Sequence, residues 1–156
     1  MIRIEARSIN DPTVRAMIAR LDRELDDATP DEGTNFFHLD DSQLQPGNGA
    51  FFVALLQGQP VGCGAYRRID TDAAEVKRMW TDPAARGNGV GSAVLDAIID
   101  GARSDGFSEL RLETGEFLTG AMALYRKYGF EECEQWGEYV GVPLSYCMSL
   151  RLDYQR

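Results

Sequence analysis

Apolar and polar residues alternate from Ile2 to Ile9, a spacing that predicts a strand. Asn10 or Asp11 then caps a helix that carries Pro12 in its first turn. Val14, Met17, Ile18, Leu21 and Leu25 recur at helical spacing, so this helix runs to about Asp26 and buries one face. From Thr29 to Gly49 the pattern breaks down into a connection with two prolines and many acids, holding a short helix near Asp41–Gln45. Connections longer than about 12–15 residues are usually functional or disordered. "AFFVALLQ" and "VGCGAYRRI" flank Gly58-Gln59-Pro60 and read as a hairpin. "EVKRMWT" at 75–81 is a further strand. Val90, Val94, Leu95, Ile98, Ile99 and Ala102 mark one face of the next helix, which Gly106 ends. "SELRLET" is a strand, and "TGAMALYRKY" is a helix stopped by Gly129. "FEECEQW" and "SYCMSLRL" close the chain as two strands around the loop "GEYVGVP".

The order β-α-(short α)-β-β-β-α-β-α-β-β predicts a mixed α/β architecture. Strand–helix–strand units in the second half require parallel pairing there, while the central hairpins are antiparallel. The expected product is one twisted sheet with helices on both faces. No repeat, low-complexity tract or linker interrupts the pattern, so residues 1–156 read as a single domain.

Composition narrows the function classes. The chain is 44% apolar and 26% charged, ordinary for a globular protein. Sixteen basic and 25 acidic residues give a net charge of −9, which argues against a nucleic-acid partner. A cationic small partner is compatible with that charge, as is plain solubility. No signal-peptide pattern and no long apolar window is present, so neither export nor a membrane is expected. Cys63, Cys133 and Cys147 are odd in number and far apart, which suits reduced thiols and a cytoplasmic location. With His38 as the one histidine, no histidine metal cluster can be assembled and no metal is expected.

The segment "RGNGVGS" at 86–92 places three glycines between a strand and a helix, where glycine is costly as a helix former. The first turn of a helix carries backbone N–H groups without intrahelical partners at its positive end. Glycines let an anion approach them closely, so the segment reads as a phosphate site, the alternative being a glycine-rich tight turn. Ser92 follows Gly91 with no lysine, which excludes a Walker loop, and the third glycine falls one place early for a dinucleotide fingerprint.

Arg86, Gly89 and Gly91 do fit Arg-x-x-Gly-x-Gly. With it, the chain resembles the GNAT superfamily of acetyl-CoA-dependent N-acetyltransferases. "KRMWTDPAARGNGVGSAVLDAII" is similar to the family's fourth strand, pyrophosphate loop and third helix, "LRLETG" to its fifth strand, and "ALYRKYGF" to a segment of its fourth helix. Together with the element order, the likeness covers about Ile2 to Leu152. It implies a mostly antiparallel sheet with one parallel, splayed pair of strands that admits the pantetheine arm. Met79, Trp80 and Thr81 would pair with the pantetheine amides, although the side chains of Met79 and Trp80 can equally pack in the core. The backbone of Gly87, Asn88, Gly89, Val90, Gly91 and Ser92 would hold the pyrophosphate, with Arg86 beside it. Leu118 departs from the family, which often has an asparagine there.

The implied reaction is direct attack of a neutral amine on the thioester of acetyl-CoA. An amine with a pKa near ~10.4 must first lose a proton. The oxyanion needs a donor, such as a backbone N–H near Trp80 or Thr81. The leaving thiolate benefits from a general acid, the role the resemblance assigns to Tyr125, which otherwise packs in its helix stripe. Glu75 matches the position of a catalytic glutamate in histone-acetylating members; the other reading is a carboxylate paired to Lys77 or Arg111. His38, Phe36, Phe37 and Tyr139 are candidates for the acceptor side. Between Asp22 and Asp41 there are eight acids and one base, Arg23, which would draw a cationic amine of a small molecule or peptide or would simply be solvated. The family likeness leaves the assembly as monomer or homodimer. A non-catalytic acyl-CoA-sensing domain would keep the glycine loop but dispense with Tyr125 and Glu75.

Overall fold

The computed structural model describes residues 1–28, 39–115 and 119–152. Its elements follow the expected order: β1 (Ile2–Ala6), α1 (Pro12–Ala28), a single 3-10 turn (Asp41–Leu44), β2 (Gly49–Leu56), β3 (Gln59–Arg68) and β4 (Ala73–Thr81). After a 3-10 turn at Pro83–Ala85 come α2 (Val90–Ser104), β5 (Glu109–Gly115), α3 (Thr119–Lys127), β6 (Glu131–Glu132), a turn at Gly137–Tyr139 and β7 (Ser145–Arg151). α1 is capped by Asp11, whose carboxylate accepts from the N–H groups of Thr13 (2.8 Å) and Val14 (3.3 Å).

The seven strands form one sheet in the order β1-β2-β3-β4-β5-β7-β6. All neighbours are antiparallel except β4 and β5, which run parallel. Two expectations are corrected here. The strand expected over "FEECEQW" shrinks to Glu131–Glu132, and the second strand–helix–strand unit has no parallel pair. The cause of the second is topological: β7 pairs with β5 along Glu109–Gly115 and so enters between β5 and β6.

Helices cover both faces. On one, the buried stripe of α2, Val90, Val94, Leu95, Ile98, Ile99 and Ala102, packs with Ala54, Tyr66, Val76, Leu110 and Leu112 of the strands and Tyr125 of α3. On the other, Val14, Met17 and Leu21 of α1 lie with Phe51, Val53, Leu55, Cys63, Ala65 and Trp80. The period-two alternation of each strand therefore sorts its residues between two cores. β3 has glycine where α2 crosses it: a Cβ on Gly64 would stand 2.6 Å from both Met79 Sδ and Val94 Cγ1. That close approach brings the start of α2 to the end of β4. No helix among the described residues is long and apolar enough to cross a membrane.

Candidate active site

β4 and β5 are paired only from Ala73↔Glu109 to Glu75↔Arg111. Beyond that point both strands continue, but no longer as neighbours, so Val76 to Thr81 of β4 face a gap instead of a strand. A bulge bends β4 inside this open stretch. Ala65 pairs with Lys77 and Cys63 with Trp80, so Gly64 faces two residues, and Arg78 takes the left-handed conformation at φ +62°. The Cys63 thiol donates to the Arg78 carbonyl (3.2 Å), and the Arg78 guanidinium donates to Asp22 of α1 (2.5 Å). Burial pushes the Cys63 thiol up to about 12, so it stays protonated in that contact.

The glycine loop stands at the open end of β4. Gly87 and Gly89 have φ of +88° and +81°, and Gly89 leads into α2 with no side-chain cap. Ala93 is the first residue of α2 whose N–H reaches back to the loop, donating to the Gly89 carbonyl at 3.0 Å. The earlier N–H groups of the first turn have no intrahelical acceptor and remain available to an anion. A Cβ on Gly87 or Gly89 would meet nothing within 4 Å, so the space over this backbone is open. Gly91 is different: a Cβ there would lie 3.0 Å from Leu124 of α3 and 3.9 Å from the Thr81 hydroxyl. α2, the end of β4 and α3 thus converge on one point.

Arg86 donates to the Thr81 carbonyl (3.1 Å) and to Glu24 of α1 (2.8 Å). The other Glu24 oxygen accepts from the Trp80 indole at 2.7 Å. The guanidinium is about half exposed and ion-paired to Glu24. Tyr125 is buried in the α2 core, edge-on to Phe130 at 5.6 Å, and its hydroxyl makes no hydrogen bond among the described residues. Burial raises its pKa, so the phenol holds its proton and can donate it.

A polar cluster lies on the α1 face of the sheet beside the gap. Glu75 is 1% exposed. One of its oxygens accepts two bonds from Arg67 (2.6 and 3.0 Å), and the other accepts from the Tyr139 hydroxyl at 2.5 Å, with Lys77 3.8 Å away. Burial pushes the Lys77 amine down, against the pull of Glu75. It pushes the Tyr139 phenol up, with the Glu75 charge adding to it. Glu113 of β5 accepts from Ser145 at 2.9 Å; its pKa is raised by burial, against that hydrogen bond.

The profile of the Acetyltransferase (GNAT) family matches residues 16–130. The chain belongs to this family. It is 43% identical to the IAA acetyltransferase of Azospirillum brasilense over 134 residues, 85% of this chain and 86% of that protein. It is 32% identical to the uncharacterized N-acetyltransferase YsnE of Bacillus subtilis over 92% of this chain and 97% of the relative. A Klebsiella pneumoniae structure named for acyl-CoA N-acyltransferase activity superposes with a TM-score of 0.84 at 33% identity, covering 97% of this chain and 98% of that one. The protein is accordingly an acyltransferase of the acetyl-CoA-dependent N-acetyltransferase class.

In this GNAT chain the fold brings Met79, Trp80, Thr81, Arg86 and the loop from Gly87 to Ser92 to one end of the split sheet. Trp80 is 5% exposed and Val90 2%, so these two side chains pack inward and leave only their backbone to the gap. Tyr139, expected on an acceptor wall, is 1% exposed with its hydroxyl committed to Glu75. Glu75 is paired as its second reading expected, but chiefly with Arg67; Arg111 pairs with Glu109 instead (3.0 Å). Phe36, Phe37, His38 and Leu118 lie outside the described residues. Arg78, Glu24, Arg67 and Glu113 were missed from the sequence. Glu113 could have been found from the alternation of "ELRLETG", which sends Glu109, Arg111 and Glu113 to the face opposite Leu110 and Leu112.

Proposed function

We propose that this chain transfers the acetyl group of acetyl-CoA to the primary amine of a small molecule, by direct attack of the amine on the thioester. The observation that supports this best is the free lip of β4, Val76 to Thr81, running to the uncapped start of α2. A strand edge without a partner offers N–H and C=O groups to an extended amide chain, as pantetheine is. Backbone groups of Met79 to Thr81 would pair with it. The N–H groups from Gly87 to Ser92 would take the pyrophosphate, with Arg86 exchanging Glu24 for phosphate. The bulge at Arg78 lies within the open stretch of β4, where a backbone N–H near Trp80 would meet the developing oxyanion. Tyr125 protonates the leaving thiolate. Glu75 holds Arg67 and Tyr139 under the gap.

The acceptor enters from the α1 face, as an ammonium. The side chains around the gap carry both signs, Arg67 and Lys77 against Glu113 and Glu138, which suits a small acceptor bearing opposite charges rather than an extended polycation. Turnover of acetyl-CoA against a panel of amino acids, polyamines and lysine peptides tests the reading. A small amine as the best acceptor supports it; turnover with peptides alone overturns it. Gly89→Val tests the cofactor placement. The side chain would fill the open space above the loop and force a left-handed residue, at about 1–2 kcal/mol, so acetyl-CoA affinity falls while the fold persists. Calorimetry showing wild-type affinity in a folded Gly89→Val protein would remove the loop from the cofactor site.

A further inference from the structure

The parallel pairing of β4 and β5 ends at Glu75↔Arg111. Two residues further along each strand are Lys77 and Glu113, which therefore occupy the two lips of the gap where it opens. Both belong to the α1 face, since Val76 and Leu112 between them and their neighbours point into the α2 core. A strand rises about 3.3 Å per residue, so this level lies within about two residues of the Arg78 bulge. The acyl group and the attacking nitrogen meet there on the reading given above, on which this inference rests.

Two carboxylates lie beside that point, one buried and one half-buried, and their surroundings differ. Glu75 is sealed, with both oxygens engaged by Arg67 and Tyr139. Taking a proton there would break an ion pair and a hydrogen bond that have no replacement. Glu113 is half-buried and accepts one hydrogen bond, from Ser145, at one oxygen; its other oxygen makes none among the described residues. Ser145 aims the carboxylate without using it up. Burial raises its proton affinity, the Ser145 hydrogen bond lowers it, and of the charges around it Glu75 and Glu138 raise it while Lys77 lowers it. Arg111, which precedes it on the same face of β5, is turned to Glu109 and Trp136.

We propose that Glu113 is the general base that takes the proton from the acceptor ammonium. The proton passes from R–NH3⁺ to the Glu113 carboxylate, leaving a neutral amine. Its nitrogen pair attacks the thioester carbonyl, forming the C–N bond. Collapse of the tetrahedral intermediate breaks the C–S bond, and the second nitrogen proton balances the one Tyr125 gives to the thiolate. Glu113 then returns its proton to water through its exposed side. A raised carboxylate pKa serves this step, because a base is most effective when its pKa approaches the working pH.

The test uses the full chain with saturating acetyl-CoA and the best amine of the panel, from about pH 6 to about pH 10, a range spanning the carboxylate and amine ends of the titration. Glu113→Gln should lower kcat/KM for the amine by about 10²–10⁴-fold near neutral pH. Its KM for acetyl-CoA should not move. Its rate should climb steeply with pH, as the amine loses its proton unaided, while the wild-type rate levels off. Glu113→Asp, which keeps the carboxylate, should recover part of the loss. A Glu113→Gln enzyme with the wild-type rate and pH profile overturns the proposal, and so does an equal, pH-independent loss in both variants. Wild-type turnover reads the acetyl-transfer assignment and the variant-to-wild-type ratio reads Glu113, so the two fail separately. The amide is isosteric and removes a charge whose burial is unfavourable, so the melting temperature near neutral pH should hold or rise.

Discussion

On the proposed mechanism Tyr125 would serve both packing and chemistry. Its ring is buried against Phe130 in the α2 core, and its hydroxyl is left without a partner among the described residues. Burial that raises the phenol pKa keeps the proton available across the physiological range. Tyr125→Phe retains the ring, so the fold and the KM for acetyl-CoA should change little. The kcat should fall by about 10²–10⁴-fold, because the hydroxyl is wanted in the transition state and not for binding. Steady-state kinetics showing an unchanged kcat would leave Tyr125 as packing alone. Glu75 is the opposite case. Its spacing from Arg86 suggested a base, while its carboxylate is fully engaged between Arg67 and Tyr139. Spacing along a strand says which face a side chain takes, but not which groups from other elements will reach it.

Elements create the gap. β4 and β5 are held together at their starts, and α2 presses on β3 through Gly62 and Gly64, with Val90 Cγ1 2.5 Å from where a Cβ of Gly62 would stand. This contact places the α2 N-terminus near the end of β4, so on the proposed reading its N–H groups and the strand lip would lie within reach of one cofactor. Gly64→Val would drive a side chain into Met79, Val94 and Ile98. Overpacking of this kind typically costs about 1–3 kcal/mol. The variant should melt at a lower temperature and lose acetyl-CoA affinity together; in Gly89→Val the loss of affinity comes from the blocked loop, with only local backbone strain and no clash in the core. A Gly64→Val protein with wild-type melting temperature would show that α2 can move off β3.

At the scale of the whole molecule, the proposed cofactor site spans several elements, so binding should be read in global stability. Acetyl-CoA would bridge β4, α2 and α3, three elements that converge where Leu124 and the Thr81 hydroxyl flank Gly91. A ligand at about 100 times its Kd adds about 2.7 kcal/mol to stability. In a chain of this size each kcal/mol is worth about 2–4 °C, so the melting temperature should rise by about 5–10 °C with acetyl-CoA. ATP and NAD, tested in parallel, should leave it unchanged, since neither has an amide arm to pair with the strand lip. Equal shifts with all three would point to a general phosphate site.

The element order, the stripe of α2 and the glycine loop were legible in the sequence. Each is a local matter: Val90 to Ala102 repeat at the helical period, and three glycines cannot open a helix without a reason in backbone geometry. The family likeness rested on those same local segments. What the tertiary structure alone decided was everything that depends on neighbours distant in the chain. β7 entered between β5 and β6, and the strand expected over "FEECEQW" is only Glu131–Glu132. Arg78 took a left-handed conformation that no residue type at that position announces, because the bulge is a matter of register with β3. Tyr139 came from 64 residues away to close one oxygen of Glu75, leaving Glu113 with the freer carboxylate. A side chain's alternation is set by the strand it sits in. Its hydrogen-bond partners, and with them its proton affinity, are set by which strands and loops the fold lays beside it.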